Sequence, residues 1–576
     1  MTDVATADTA AMTEDTERSS YLGHRQILTV LGALMLGMLL AALDQTIVST
    51  ALPTIVGDLG GLNHLSWVVT AYLLAATIST PLYGKLGDLY GRKPLFQLAI
   101  AIFLVGSMLS GISQNMLELI GFRALQGLGA GGLMVGAQSI IGDVVPPRER
   151  GKYQGMMGGI FALASIAGPL LGGFLTDNAS WRWIFYINVP LGAVALVVTS
   201  TALPATARRV SHRIDWWGAG LLAAGTASVI LLATWGGTQY GWLSAPIIAL
   251  AVVGAAVLVT FFVVERRVAE PIIPPRLFRS SVFNVASAVG FVIGFAMFGA
   301  IVFLPLFLQL VDGASATSSG LNLLPLMVGL LTASIGSGQL ISRTGRYKIF
   351  PVTGTALAAV AMLLLSTLTP TTSRLLLSVY MVILGAGLGM VMQVLVLAVQ
   401  NAAERRDLGV ATSSATFLRS IGSSIGVAIF GAIFSSQLAT NLRLQLPASA
   451  LRGNLNPTSL QGNPAALARL PAAIHSGLVT AVSDSLHVVF LTAVPVLVVA
   501  FLITLFLREI PLGRRAKAPV AVAEGMGLDE AAEVVLASTD DDRPATAISD
   551  IPSVTDAASQ AVLAGTRQSD DRGTSQ

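Results

Sequence analysis

Two charged residues of opposite sign, Asp44 and Arg123, lie inside long apolar stretches of this 576-residue chain. An ionisable side chain inside a membrane costs a few kcal/mol and is by default a functional candidate. Asp44 lies nine residues before Pro53, where its apolar stretch ends, and Arg123 lies six residues after the start of its apolar stretch. If the two helices run in opposite directions, both residues lie roughly 9–13 Å from one membrane face. This agreement allows an ion pair in which Asp44 loads and unloads a proton, and a purely structural buried pair is the alternative.

A second candidate is the polar segment GKLGDLYGRKPLF at 84–96, which we call the latch segment. Its pattern of glycines and arginine returns as GQLISRTGRYKIF at 338–350, 254 residues later. The acid does not return, because Ser342 stands where the first copy has Asp88. The two copies therefore share a turn but not its chemistry.

A carboxylate at Asp88 could bind the start of another helix. The helix predicted to begin near Gly409 has unpaired N–H groups and a partial positive charge in its first turn. Asp88 would close a latch there, oriented by Arg92 and Lys93, and a solvated loop acid is the alternative. The predicted latch residues are Gly84, Asp88, Gly91, Arg92 and Lys93.

The composition is that of a membrane protein. Hydrophobic residues make up 53% of the chain and charged residues 11%, whereas soluble domains carry roughly 25% charged residues. A membrane span needs about 17 to 25 apolar residues and must be helical, because lipid offers its backbone no hydrogen bonds. Fourteen runs qualify: 27–52, 63–83, 95–113, 117–144, 153–176, 183–203, 215–235, 245–264, 282–310, 320–342, 349–368, 374–399, 410–436 and 485–507.

Lys and Arg in the short loops set the orientation. Loops after helices 2, 4, 6, 8, 10 and 12 hold two to four positive residues each, whereas the short loops on the other side hold only Arg182 and Arg374. Positive residues stay in the cytoplasm, so both termini are predicted to be cytoplasmic. The acidic tail 1–26 has no apolar core and is not a signal peptide, and the acidic tail 508–576 is predicted to be disordered.

The repeat predicts the domain organisation. Three glycines of helix 5 and three of helix 13 are related by the offset that relates the two polar segments. Duplicated halves that rock about a substrate site are typical of secondary transporters. We predict a six-helix bundle at 27–203, an inserted helix pair with its linkers at 204–281, and a second bundle at 282–507. The second bundle carries an outer loop at 437–484.

Several motifs resemble those of the major facilitator superfamily. The latch segment resembles its cytoplasmic loop signature. LDQTIVSTALP (43–53) resembles the Asp-bearing motif of its drug:proton antiporters, and GFRALQGLGAG (121–131) is similar to their Arg motif. GMMGGIFALASIAGPLLGG (155–173) resembles the antiporter motif of helix 5, with Ala164 where glycine is usual. The matching residues of that motif are Gly155, Gly168, Pro169, Gly172 and Gly173.

Two further motifs point to one branch of this family. WRWIFYINVP (181–190) and LRSIGSSIG (418–426) resemble signatures of the fourteen-helix EmrB/QacA branch. The resemblance covers about residues 27–507 and implies an all-α polytopic membrane protein. It would have the major facilitator fold with 14 transmembrane helices, two six-helix bundles plus an inserted pair. It also implies that the Asp88 latch closes in the outward-open state.

Four residues are candidates for a substrate cavity. They are Gln126 in helix 4, Phe295 in helix 9, Gln393 in helix 12 and Arg419 in helix 13. The aromatic face of helix 9 could instead face lipid. Arg419 has no obvious acidic partner, so it binds either backbone carbonyls or an anionic part of the substrate.

The function predicted is proton-coupled export of lipophilic drugs or toxic compounds across a bacterial-type cytoplasmic membrane, by a monomer. An endogenous metabolite, lipid or siderophore is the alternative cargo, and a non-transporting sensor is less favoured. With one deep acid, neutral or monocationic compounds are expected to be preferred over dications. No P-loop, H-E-x-x-H or Ser/His/Asp pattern is present, so we expect no enzyme activity, cofactor, metal or nucleic-acid partner. The expected partners are the substrate, protons and the lipid bilayer.

Overall fold

The computed structural model describes residues 24–60, 64–203, 215–237, 239–268, 270–314, 316–446 and 471–512. These residues contain fourteen helices of 15 residues or more: α1 (His24–Leu59), α2 (Leu65–Tyr90), α3 (Arg92–Ile112), α4 (Met116–Val144), α5 (Pro147–Asn178), α6 (Asn188–Ala202), α7 (Trp216–Trp235), α8 (Ala245–Glu265), α9 (Ser281–Leu310), α10 (Leu324–Thr344), α11 (Ile349–Ser366), α12 (Arg374–Ala402), α13 (Leu408–Gln445) and α14 (Ala472–Leu505). Short helices, Trp183–Tyr186 and Ala316–Asn322, precede α6 and α10.

Each of the fourteen predicted apolar runs corresponds to one of these helices. By length and composition, 13 helical spans of the described chain can cross a membrane. Their outward surfaces are apolar, as on α8, where Val252 and Val259 are more than half exposed. Extended apolar surface of this kind is typical of helices that face lipid. The predicted tails 1–26 and 508–576 lie mostly outside the described residues.

The outer loop is shorter than the predicted 437–484. Helix α13 continues to Gln445 and α14 begins at Ala472, and residues 447–470 lie outside the described part of the chain. The two helix ends pack together beyond the apolar runs: Leu438 and Leu478 are buried, and Asn441 Nδ2 donates to Ser485 Oγ at 3.0 Å. Hydropathy identifies only the membrane-crossing part of a helix, so the predicted runs are shorter than the helices α13 and α14 at the ends that face this loop.

The two halves repeat one packing pattern. In the first half α1 packs on α5, and both α2 and α3 pack on α4. In the second half α9 packs on α13, and both α10 and α11 pack on α12. These are the helices that the 254-residue offset relates. The duplicated sequence therefore folds into two bundles of the same internal arrangement.

The halves meet through glycines where the end of α2 packs on the start of α13 and the start of α5 packs on the end of α10. A Cβ on Gly84 would lie 2.8 Å from the Gly409 carbonyl oxygen. A Cβ on Gly338 would collide with the Gly151 carbonyl, and one on Gly155 with the Ser334 carbonyl. Small residues allow this close approach of helix backbones, which closes the interface on the side that the loop charges predict to be cytoplasmic.

The inserted pair, α7 and α8, packs together, and α7 also contacts α2 and α13, one helix from each half. The contact is apolar: Ala219 and Leu222 of α7 share a buried cluster with Phe261 of α8 and Phe417 of α13. The inserted pair therefore lies against the same α2–α13 contact that the latch segment adjoins.

Packing of α9 against α13 should depend on Gly426. A Cβ there would lie 2.7 Å from the Phe295 Cα and carbonyl carbon, whereas Gly431 on the same helix has open space. Overpacking costs about 1–3 kcal/mol, so Gly426→Ala should lower the thermal unfolding temperature in detergent. Gly431→Ala is the control and should leave that temperature unchanged or slightly raised. Equal unfolding temperatures for the two variants would contradict the close packing.

Candidate proton site, latch and transport cavity

Asp44 of α1 and Arg123 of α4 form a direct ion pair. Arg123 Nη1 donates to Asp44 Oδ2 at 2.5 Å, and the two side chains are 0% and 1% exposed. A buried ion pair is stable only if its remaining hydrogen-bonding groups are also satisfied. The surroundings of this pair therefore decide what it can do.

Two amides complete the site. Gln126 Nε2 donates to Asp44 Oδ1 at 2.8 Å, and its Oε1 accepts a bond from Arg123. Asn188 Nδ2 donates to the same Asp44 oxygen at 3.2 Å and to Ser107 Oγ at 3.0 Å. Gln126, predicted to line the cavity, is fully buried in this network. Sequence reasoning did not identify Asn188, although an amide in an apolar helix was the available signal.

Aromatic rings cover the arginine. The Arg123 guanidinium carbon lies 4.1 Å from the centroid of the Tyr72 ring and 5.9 Å from that of Phe185. Tyr72 is itself held by its hydroxyl, which donates to the Ala41 carbonyl at 3.1 Å. A desolvated cation–π contact adds about 2 kcal/mol. The site is thus sealed from water, and all of its groups belong to the first half.

The antiporter motif brings α5 against α1, just beyond Asp44. Thr46 Oγ1 donates to the Ala164 carbonyl at 2.9 Å. A Cβ on Gly168 or Gly172 would collide with Thr46 or Thr50. Alanine at 164 is accommodated: its carbonyl accepts the bond from Thr46, and its side chain is buried in a small apolar cluster with Ala42 and Leu43 of α1.

Other residues of this motif face the second half. Gly155 packs on the Ser334 backbone, and Pro169 lies 3.5 Å from where a Cβ of Gly320 would stand. Gly173 is part-buried at the outer end of α5. Helix α5 therefore contacts the proton-site helix on one side and the second half on the other.

Asp88 is bonded to the start of α13, in the second half. Its carboxylate accepts bonds from Gly409 N at 3.1 Å and Val410 N at 2.8 Å. Arg92 Nη2 donates to Asp88 at 2.8 Å, and the Arg92 guanidinium also pairs with Asp143. A carboxylate on free N–H groups of a first turn is favoured by hydrogen bonding and by the helix dipole.

The latch turn depends on a glycine. Gly91 has φ +94° and its counterpart Gly345 has φ +72°, a region that favours glycine. Lys93 does not approach Asp88: its ammonium donates to the Ser200 and Leu203 carbonyls at the end of α6, both at 2.7 Å. Lys93 therefore anchors the turn to α6, and Arg92 alone orients the acid.

The second copy of the segment makes no equivalent latch. Ser342 Oγ donates to the Gly338 carbonyl of its own helix at 3.0 Å. Its turn is bound by Glu509, which accepts bonds from Tyr347 N at 2.6 Å and Lys348 N at 3.2 Å. The acid at this turn thus comes from the same half, so the turn is fixed without joining the halves.

Glutamines tie the halves together beside the latch. Gln400 Nε2 of α12 donates to the Gln138 carbonyl of α4 at 3.0 Å. Gln154 Nε2 of α5 donates to Gln400 Oε1 at 3.3 Å. The sequence analysis did not identify these three residues, because single amides in apolar runs carry no spacing pattern.

The linker after α8 holds both sides of the latch. Lys85 Nζ of α2 pairs with Glu270 at 2.5 Å. Arg276 binds Asp407, immediately before α13, through bonds of 2.8 and 2.6 Å. Hydrogen bonds to Asp407 raise the pKa of Arg276, so this tie keeps its charge at any physiological pH.

The four predicted cavity residues are not all brought together. Phe295 lies at the α9–α13 contact, its ring 5.2 Å from that of Phe430, and Arg419 lies at the same contact. Gln393 is buried near Gly158 of α5, with no partner for its Oε1.

Two equivalent helical bundles, joined by ties on one side, are the architecture of a membrane transporter built from duplicated halves. A family model described as Major Facilitator Superfamily matches residues 34–219 and 202–427. The chain belongs to the major facilitator superfamily, and it is a transporter and not an enzyme.

Its relatives include multidrug transporters. An uncharacterized MFS-type transporter of Mycobacterium tuberculosis is 51% identical over 481 residues, 83% of this chain and 69% of the relative. The multidrug transporter protein MdtP of Bacillus subtilis is 39% identical, over 84% of this chain and 93% of its own. Multidrug resistance protein 3 of the same organism is 40% identical, over 83% and 94%. The resemblance to the drug-efflux branch is confirmed.

Solved structures share the fold. The proton:xylose symporter XylE aligns with a TM-score of 0.56 at 14% identity, over 85% of this chain and 98% of its own. This likeness confirms the predicted all-helical major facilitator fold.

Proposed function

We propose that this transporter exports lipophilic drugs or toxic compounds from the cytoplasm in exchange for protons entering from outside. The observation that carries the proposal is the Asp44 site. Both carboxylate oxygens are bonded, and their partners come from two other helices, Arg123 and Gln126 from α4 and Asn188 from α6. A proton arriving at Asp44 removes the charge that holds Arg123, so protonation must rearrange contacts between helices.

Helix packing connects this event to the access gates. Asp44 lies on α1, which packs on α5, and α5 packs on α10 of the second half. Asp88 and the Gln138–Gln154–Gln400 ties join the two halves on one side, which under this proposal is the cytoplasmic side. Proton entry from outside would therefore precede release of the latch, and cargo would enter from the cytoplasm as the proton leaves.

The alternative cargo is an endogenous metabolite, lipid or siderophore. A non-transporting sensor would have no use for a sealed titratable pair or for the antiporter motif. We also propose that the protein is a monomer in the cytoplasmic membrane, with both termini in the cytoplasm.

Vesicles with the cytoplasmic face outward provide the test. An acid lumen should drive uptake of a lipophilic dye, and a protonophore should abolish it. Uptake that is indifferent to the pH gradient would overturn proton coupling. Transport of metabolites, lipids or siderophores but not of drugs would favour the alternative cargo.

A further inference from the structure

Arg419 lies deep in the membrane, on α13. It is 11 residues beyond the start of that helix at Leu408, about 17 Å along the axis at 1.5 Å per residue. This is close to the middle of a hydrocarbon core about 30 Å thick. A cation at this depth is costly and marks a functional site unless a partner neutralises it.

No such partner is present among the described residues. The Arg419 guanidinium makes no ion pair and donates to no carbonyl there, and its side chain is only part-buried. The Arg419 backbone is held, because its carbonyl accepts a bond from Ser423 Oγ at 3.0 Å. Binding to backbone carbonyls, one of two alternatives predicted from the sequence, is therefore not what the side chain does.

The charge balance of the membrane interior leaves this cation in excess. Three charged residues, Asp44, Arg123 and Arg419, lie at least six residues inside the predicted apolar runs. Asp44 and Arg123 neutralise each other in a sealed site. A cationic cargo would find no free carboxylate at this depth, whereas an anion would find one unpaired guanidinium.

The surroundings of Arg419 suit an amphiphile. Gly294 of α9 makes room for it, since a Cβ there would lie 3.1 Å from Arg419 Cγ. The rings of Phe295 and Phe430 form an aromatic pair at the same helix contact, on the outer side of Arg419. A guanidinium can bind a carboxylate through two parallel bonds, and the aromatic residues further along the same helix contact suit the apolar body that carries the carboxylate.

We propose that Arg419 binds the anionic group of the cargo, and that the preferred substrates are lipophilic weak acids with one carboxylate or similar group. The inference rests on the proposed export function and names its substrate class. It reverses the expectation of neutral or monocationic cargo, which rested on Asp44 as the one deep acid.

Binding measurements on the purified protein test the role of Arg419 separately from transport measurements. A dansyl-labelled fatty acid and its methyl ester differ in one charge, and fluorescence reports their binding to the purified protein at pH 7.5. The parent should bind the acid at least about tenfold more tightly than the ester, because a charge-assisted bond to a desolvated cation is strong. Arg419→Gln should remove this preference and leave ester binding within about twofold, and Arg419→Lys should restore part of it.

Equal binding of acid and ester by the parent would overturn the proposal, and so would loss of binding of both ligands in Arg419→Gln. Competition by chloride at millimolar concentration would also overturn it, because the ligand would then be an inorganic anion. The thermal unfolding temperature of Arg419→Gln should not fall, since an unpaired charge is removed. These results also separate the substrate class from the export function. If binding of the acid depends on Arg419 but a pH gradient drives no transport, export is refuted and the substrate class stands. If the ester is transported and the acid is not, the substrate class is refuted and export stands.

Discussion

Asp44→Asn should reduce export driven by a pH gradient to the background of protein-free vesicles. Asparagine keeps the size of the side chain and one acceptor oxygen for Gln126 and Asn188, but it cannot take up and release a proton. Transport that needs only substrate, such as exchange of labelled for unlabelled dye across the membrane, should continue. The measurement is dye uptake into vesicles with an acid lumen, set beside this exchange.

Helix α1 offers a matched control. Asp58 lies near its outer end, half exposed, and accepts bonds from Trp181 Nε1 and Arg182 Nη1, both at 2.9 Å. These bonds lower the pKa of Asp58, so it stays ionised at physiological pH and carries no proton. Asp58→Asn should retain export, and equal loss in both variants would show a general defect of α1.

Asp88→Asn should shift the protein toward the inward-open state by about tenfold or more. Asparagine can accept one of the two bonds from the start of α13 but not both, and it lacks the charge that Arg92 and the helix dipole favour. Hydrogen bonds to charged groups contribute about 1.5–3 kcal/mol, and a tenfold shift needs about 1.4 kcal/mol. The α2–α13 contact should open because Asp88 is the only described acid that bonds the first turn of α13.

Labelling of single introduced cysteines measures this shift, and the natural chain has no cysteine to interfere. A cysteine in the cytoplasmic half of α13 should react faster from the cytoplasmic side in Asp88→Asn than in the parent. Ser342→Asn is the control at the repeated position, where the side chain bonds only within α10, and it should leave labelling unchanged. Unchanged labelling in Asp88→Asn would refute the latch.

Much of this arrangement could be predicted from sequence because the signals are strong. Fourteen apolar runs must become helices in lipid, and the repeat offset assigned twelve of them to two halves and left two as an inserted pair. Charges inside these runs, Asp44 and Arg123, are so costly that their depths alone indicated a shared site. The acid in the latch segment was identified because its repeat lacks it.

The remaining features depend on tertiary contacts that leave no local pattern. Asn188 and Tyr72 complete the Asp44 site from other helices, and neither spacing nor charge marks them. Lys93 was assigned to Asp88 because it is near in sequence, yet the chain turn directs it to the end of α6. That Arg419 is unpaired could be known only once every neighbouring helix was placed.

Proton release on adding substrate, followed with a pH-sensitive dye outside vesicles in the absence of any gradient, tests the central claim most directly. The account predicts that the parent moves protons when substrate is added, and that folded Asp44→Asn protein moves none while still exchanging substrate. Proton movement at the parental rate in Asp44→Asn would contradict the claim that Asp44 carries the proton.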